Sequence, residues 1–427
     1  MSPTHVIASN LRRNVAGILT DFVGFGTALG FIGFDTLLPL LVFTLTGDKT
    51  LIGLVGTLWT GLWLLPQLAA GRWMASRARK KPVLIWSAIV SRVALVLFVA
   101  LLAFGHSIGP APVFAGLLAV VIVFRGFDAV AAVAWFDLIS KVLPPDVRGR
   151  VFGSGQALSN VFRFGASLVV TAAIAGGLRY PESYVMLYGL AVFCLGVSLA
   201  GLLVLREPAE RNHTLMSDQF GLVAHALHVL RQDVRFRQMV IARLLVGAFD
   251  LARPQYVVHA TKVLGLPDSN IGLFIAAQTI GGIVASLLLG RLSARKGSVS
   301  VIQITTLLAA GVPLLALILH LAGRTQPGLA LAGYLLLFML IGSIDASFLI
   351  GLLAYVLDIA PPGERTAYTG LANTIGGLTV IAPTIGGVLL QWSSYPVLFV
   401  SASIGGALAL LTALKLPAAL PSNAADG

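Results

Sequence analysis

Several charged side chains lie deep inside apolar stretches of this chain, where a charge has to be paired or hydrated. Arg125 and Asp128 stand three residues apart within 112–140, and Asp250 and Arg253 repeat that spacing within 238–261. On a helix such a spacing places both members on one face. Asp35 and Asp345 are further acids in apolar surroundings. A charge at mid-bilayer costs about 2.5–3.5 kcal/mol on insertion scales, so it is retained for pairing or for function. The chemistry open to these groups is proton transfer: a neighbouring arginine favours the charged carboxylate, and a dry wall favours the neutral acid. Asp35, Arg125, Asp128, Asp250 and Asp345 therefore form the candidate proton-coupling set. Asp21, Asp137 and Asp358, nearer the ends of their runs, read as staples between helices. A second group of polar and aromatic residues suits the lining of a cavity: Trp59, Trp63, Gln67, Arg92, Gln156, Asn160, Arg163, Gln255, Tyr256, Gln278 and Asn373. The two tryptophans are four residues apart, on one helix face.

These residues recur. A shift of 217 positions carries Asp128 to Asp345, Pro144-Pro145 to Pro361-Pro362, Arg148 to Arg365 and Gln156 to Asn373. Phe34 to Pro39 has the form F-D-x-x-x-P, and so does Phe249 to Pro254. The chain reads as one half written twice, an arrangement that places a site near the bilayer midplane.

The elements that position them are membrane helices. Of 427 residues 57% are hydrophobic and 11% charged, with mean hydropathy +0.92, against roughly 25% charged residues in a soluble domain. Twelve apolar runs are counted, at 15–45, 51–70, 82–104, 112–140, 151–178, 183–205, 238–261, 270–290, 299–321, 328–357, 368–390 and 394–415, each near the roughly 20 residues a bilayer requires. With the N-terminus inside, cytoplasmic segments hold twenty of the 29 Lys and Arg and outer loops hold four. That bias places both termini in the cytoplasm, and it accounts for the net charge of +12 without a nucleic-acid partner. The single cysteine, Cys194, excludes an intramolecular disulfide and a cysteine metal cluster. No P-loop is present. No metal, cofactor or catalytic residue is expected, and no enzyme activity.

The predicted organisation is an all-α membrane protein: an N-terminal six-helix bundle (1–205), a cytoplasmic linker (206–237) and a C-terminal six-helix bundle (238–427). In the linker Phe220, Val223, Leu227, Leu230 and Val234 recur at helical spacing after Ser217, which predicts a short amphipathic helix at the interface. His225 and His228 read as part of its solvated face. Glycine is frequent inside the runs, as at Gly281-Gly282, Gly376-Gly377 and Gly386-Gly387, where it predicts close helix packing.

Over nearly its whole length the chain resembles a bacterial twelve-helix member of the major facilitator superfamily, with drug-exporter-like motifs. After its second helix that family reads G-x-x-x-D-R-x-G-R-R. Here Gly71, Arg77 and Arg79 stand in that loop, Gly290 and Arg295 in the second copy, and Ala75 and Ala294 replace the gate aspartate. The family's helix 4 motif, L-x-R-x-x-Q-G-x-G-A, is matched at Arg125, with Asp128 in place of glutamine. Leu29-Gly30 and Pro39 match part of a helix 1 exporter motif. The helix 5 antiporter motif is absent from 151–178, and a similar Ala382-Pro383-Thr384-Ile385-Gly386-Gly387 lies in helix 11.

The resemblance implies two pseudo-symmetric bundles around a midplane cavity that work by alternating access. The expected activity is proton-coupled export of a small amphipathic compound across a bacterial inner membrane. Asp35 and Asp128 would carry protons beside Arg125, and the five loop residues would act in gating. The expected partners are a small-molecule substrate, protons and the lipid bilayer, and the expected state is a monomer. The alternatives are a proton-linked importer of a nutrient or organic anion bound by arginines, a lipid or lysolipid transporter, and a non-transporting membrane sensor.

Overall fold

The computed structural model describes residues 3–75, 77, 79–208, 230–322, 326–361 and 364–417. Most of the amphipathic helix expected in the linker, with Ser217, Phe220, Val223, His225, Leu227 and His228, lies outside the described residues. Among those described, the secondary structure is helical and eleven helices are long and apolar enough to cross a membrane.

In chain order the first half comprises α1 (Pro3–Ile32), α2 (Leu37–Thr46), α3 (Lys49–Leu64), α4 (Pro66–Ala75), α5 (Lys81–Ala103), α6 (Gly105–Ile108), α7 (Pro110–Val142), α8 (Pro145–Ala175) and α9 (Glu182–Val204). The second comprises α10 (Val234–Val246), α11 (Ile271–Lys296), α12 (Ser298–Ala322), α13 (Pro327–Phe348), α14 (Ala354–Ile359), α15 (Arg365–Gly376), α16 (Ala382–Trp392) and α17 (Tyr395–Ala413). Contacts divide the chain into two compact units. One is Met1–Gly47, Leu58–Met216 and Asp268–Ala276; the other is Asp48–Thr57, Ser217–Pro267 and Ala277–Gly427. Each unit draws most of its chain from one half and a short segment from the other.

The first helix of each half breaks at its F-D-x-x-x-P motif. A proline removes its own N–H and crowds the carbonyl four residues earlier, which in this motif belongs to the aspartate. In the first half α1 and α2 are separated by a turn, Gly33 to Thr36, in which Gly33 adopts φ +60°. In the second half α10 gives way to 3-10 turns at Gly247–Leu251 and Arg253–Gln255, a helical turn at Tyr256–Val258 and a π turn at His259–Val263. The run at 238–261, expected as one helix, is thus helical turn by turn but interrupted around Asp250.

In the first unit α1 packs along α9 through small residues. A side-chain carbon added at Gly17 would lie 2.7 Å from the Gly201 carbonyl oxygen, one at Gly201 would lie 2.5 Å from that of Gly17, and one at Gly24 would meet the Ser198 nitrogen at 2.5 Å. The two backbones therefore touch, as small residues permit in membrane helices. This contact brings Asp21, between Gly17 and Gly24, against Ser198. Gly201→Leu should overpack the crossing at a cost of about 1–3 kcal/mol, read as a lower unfolding temperature in detergent. Gly196→Leu, on the same helix with open space at its Cα, should leave that temperature unchanged.

Candidate functional site

The site begins with the pair on α7. Arg125 Nη1 donates to Asp128 Oδ2 at 2.8 Å, and each residue is only 9% exposed. Arg125 Nε donates to the Trp59 carbonyl oxygen at 2.8 Å. The guanidinium also lies over the Trp59 ring, 4.6 Å from its centroid, and 5.7 Å from that of Trp63. Trp59 is fixed between the stacked rings of Phe34 and Phe124. Hydrogen bonds and ring faces thus hold the arginine, while its carboxylate partner borders an open space. Asp35, in the α1–α2 turn, is 5% exposed.

That space is a cavity of about 320 Å³ within the first unit. Its charged lining is Asp21, Arg92, Asp128 and Arg163, and Trp63 and Trp135 form part of its aromatic wall. Gln156 and Asn160 also line it, with Gln156 Nε2 donating to Asn160 Oδ1 at 3.3 Å. The apolar wall is held by edge-to-face rings, including Phe22 against Trp135 at 5.5 Å.

Asp21, expected as a staple between helices, joins α1 to α7 and α9 and also lines this cavity. It accepts from Ser198 Oγ at 2.6 Å and from Trp135 Nε1 at 2.7 Å. Arg92 Nη2 donates to the same Ser198 hydroxyl at 2.8 Å, and Arg92 Nε donates to the Leu195 carbonyl at 2.9 Å. Arg92, Ser198, Asp21 and Trp135 therefore form one continuous hydrogen-bonded row. A sequence signal for Asp21 exists in Gly17 and Gly24, four residues before it and three after. They mark a helix face packed against a neighbour, so an acid on that face is buried. Of the other two expected staples, Asp358 does join two helices, accepting from Ser298 at 2.8 Å, whereas Asp137 pairs with Lys141 of its own helix at 3.0 Å.

Of the candidate cavity residues, the structure brings Trp63, Arg92, Gln156, Asn160 and Arg163 together in the first unit. Trp59 is not part of that lining and instead holds Arg125, and Gln67 turns back to the Trp63 carbonyl at 2.8 Å. The others belong to the second unit. Arg253 Nη2 donates to Asp345 at 2.8 Å while its Nη1 lies 3.8 Å from Asp250, so the same-turn pairing read from spacing is the weaker of its two. Gln278 Nε2 also donates to Asp345, at 3.2 Å. Asn373 accepts from Arg243 at 3.3 Å. Gln255 and Tyr256 are fully buried. Among the loop candidates, Gly71 and Gly290 have open space at their Cα atoms, Arg77 lies 4.1 Å from the Trp73 ring centroid, and Arg79 and Arg295 are exposed.

The sequence profile of the Major Facilitator Superfamily matches residues 20–379 and 251–426. An uncharacterized protein of Mycobacterium tuberculosis is 21% identical over 276 residues, which is 64% of this chain and 52% of that protein. The chain thus spans about half the length of the curated relatives it matches. Among solved structures, a point mutant of the nucleoside transporter NupG is similar with a TM-score of 0.72 and 15% identity, covering 95% of this chain and 99% of that one. A bacterial homologue of the iron transporter ferroportin in an inward-facing state gives 0.65 and 15%, covering 95% and 98%. The peptide transporter POT in complex with sulfate gives 0.69 and 14%, covering 97% of each chain. At these identities the likeness concerns the fold.

The row from Arg92 to Trp135 predicts energetic coupling. Ser198→Ala removes the hydroxyl shared by Arg92 and Asp21 and should cost about 1–3 kcal/mol. In a double-mutant cycle with Asp21→Asn, followed by thermal unfolding, the two losses should fall short of additivity by about 0.5–3 kcal/mol. Additive losses would mean that the row is not energetically linked.

Proposed function

Since this chain belongs to the Major Facilitator Superfamily, we propose that it couples proton movement to the export of a small amphipathic compound, using the cavity of its first unit as the binding chamber. Family membership makes it a multi-pass membrane transporter of a small molecule rather than an enzyme. The observation that carries the finer reading is Asp128, paired through one oxygen to Arg125 and placed on the wall of an aromatic cavity.

That cavity falls within the roughly 300–1,000 Å³ of small-molecule sites, whose walls are mostly apolar with a few placed polar groups. Trp63, Arg92, Gln156, Asn160 and Arg163 contact substrate there. Asp128 carries the proton, with Asp35 as a second carrier. Arg125 stays charged and holds Asp128 when the proton leaves. Asp250 and Asp345, tied through Arg253, are the counterparts in the second half. Proton entry supplies about 2.3 kcal/mol per charge at 100 mV. When Asp128 is protonated its pull on Arg125 weakens, and a substrate group that interacts with either residue then competes with the proton. Gly71, Arg77, Arg79, Gly290 and Arg295 serve the gates, Gln67, Gln255, Tyr256, Gln278 and Asn373 the transport path. The working state is a monomer in a bacterial inner membrane, with both termini cytoplasmic.

A second reading, import of an organic anion with protons, is favoured by one observation: Arg92 and Arg163 both line the cavity.

Flux driven by a pH gradient in proteoliposomes separates the readings, using lipophilic cations, neutral drugs and organic anions, with Asp128→Asn beside the wild type. A cation or neutral compound should move uphill in the wild type and fall to background in the variant. Uphill flux that persists in Asp128→Asn removes Asp128 from coupling. Anion movement together with protons establishes the importer.

A further inference from the structure

The second unit holds a histidine pair, one member buried and the other half-buried, that the transport reading does not use. His259 opens the π turn and is fully buried. Its Nδ1 is hydrogen-bonded to the Tyr334 hydroxyl of α13, and its Nε2 meets Nδ1 of His320, near the end of α12, at 2.8 Å. A contact of that length between two imidazole nitrogens requires one proton between them. The Tyr395 ring centroid lies 4.7 Å from that of His259, and Phe399 presents its ring at 5.1 Å. The Lys49 ammonium lies 5.6 Å from the same Tyr395 centroid.

Lys49 begins the helical part of the 48–57 segment that this unit takes from the first half of the chain. Gln255 Nε2 donates to the Lys49 carbonyl at 2.9 Å, and Thr384 Oγ1 bonds Thr57 Oγ1 at 2.7 Å. The backbones are close as well: a side-chain carbon at Gly387 would lie 2.5 Å from the Lys49 carbonyl oxygen. The segment is thus strapped to α16 and to the broken helix, and its one cation rests at the aromatic ring beside the histidine pair.

We propose that His259 and His320 form a proton-binding site that controls the seating of the 48–57 segment through Tyr395 and Lys49. With one shared proton the pair is neutral, its hydrogen bond is intact, and the Tyr395 ring is available to Lys49. A second proton, taken from solvent, adds at a nitrogen outside the contact and makes the pair an imidazolium–imidazole cation whose 2.8 Å hydrogen bond keeps its shared proton and spreads the charge over both rings. The resulting imidazolium competes with the Lys49 ammonium for the Tyr395 ring and repels it as a like charge. Acid therefore loosens the segment, and histidine is the side chain whose ordinary titration falls between about pH 5 and pH 8. The other titratable groups around the pair are the hydroxyls of Tyr256, Tyr334 and Tyr395 and the ammonium of Lys262 on the π turn. Asp48 lies beside Lys49, its carboxylate accepting from the backbone nitrogens of Thr50 and Leu51. Asp250 and Arg253 lie farther back along the broken helix.

The test is a spin-label distance between Leu51→Cys and Ser393→Cys, in a Cys194→Ser background, at about pH 8 and about pH 5. It needs no substrate and is independent of the transport reading. One narrow distribution is expected at the higher pH and an added, longer population at the lower. His320→Gln keeps a hydrogen-bonding group but binds no second proton, and it should remain narrow at both. Lys49→Gln should show the longer population at both. An acid shift that survives in His320→Gln, or its absence from the wild type, overturns the proposal. A pH response retained in Lys49→Gln removes the link through Tyr395.

Discussion

The constraint on which the rest of the structure depends is the neutralisation of Asp128 inside an apolar bundle. Two charges at that depth would each cost about 2.5–3.5 kcal/mol if left alone. They are placed three residues apart on α7, so that the pair closes on its own helix. The guanidinium is further held by the Trp59 carbonyl and ring, and Trp59 is in turn clamped by Phe34 and Phe124. Support is concentrated on the arginine. The acid keeps a face toward the cavity.

The second half meets the same constraint with different parts. Asp345 holds the position of Asp128, yet its arginine comes from the break in the first helix of that half. What repeats is the paired acid, not the origin of its partner. The break repeats too, because a proline four residues after the aspartate prevents the regular hydrogen bond to that aspartate's carbonyl. Irregular backbone of this kind is tolerated at membrane depth where it is buried in protein or lines a cavity.

Much of this was legible in the sequence because it is local. The spacing from Arg125 to Asp128, the paired F-D-x-x-x-P motifs and the 217-residue echo need no tertiary knowledge. Five cavity-lining residues were identifiable as polar or aromatic interruptions of apolar runs. The cavity-lining position of Asp21 was not, because it depends on contacts such as that with Ser198, 177 residues away, and serine carries little signal in a membrane helix. Arg253 was assigned to Asp250 by spacing, whereas its shorter contact, to Asp345, spans 92 residues. The interruption at 247–263 was hidden because hydropathy averages over a run and registers no change in hydrogen-bond pattern. The histidine pair was missed for the same reason as Asp21: its members come from different helices, and each alone resembles an isolated polar residue.

The most direct measurement of the central claim is an acid-minus-alkaline infrared difference spectrum of the purified protein, recorded for wild type and Asp128→Asn. If Asp128 is the carboxylate that takes up the coupling proton, the wild type shows a protonated-carboxyl band that is absent from the variant. An identical band in both proteins would assign the proton elsewhere and contradict the account.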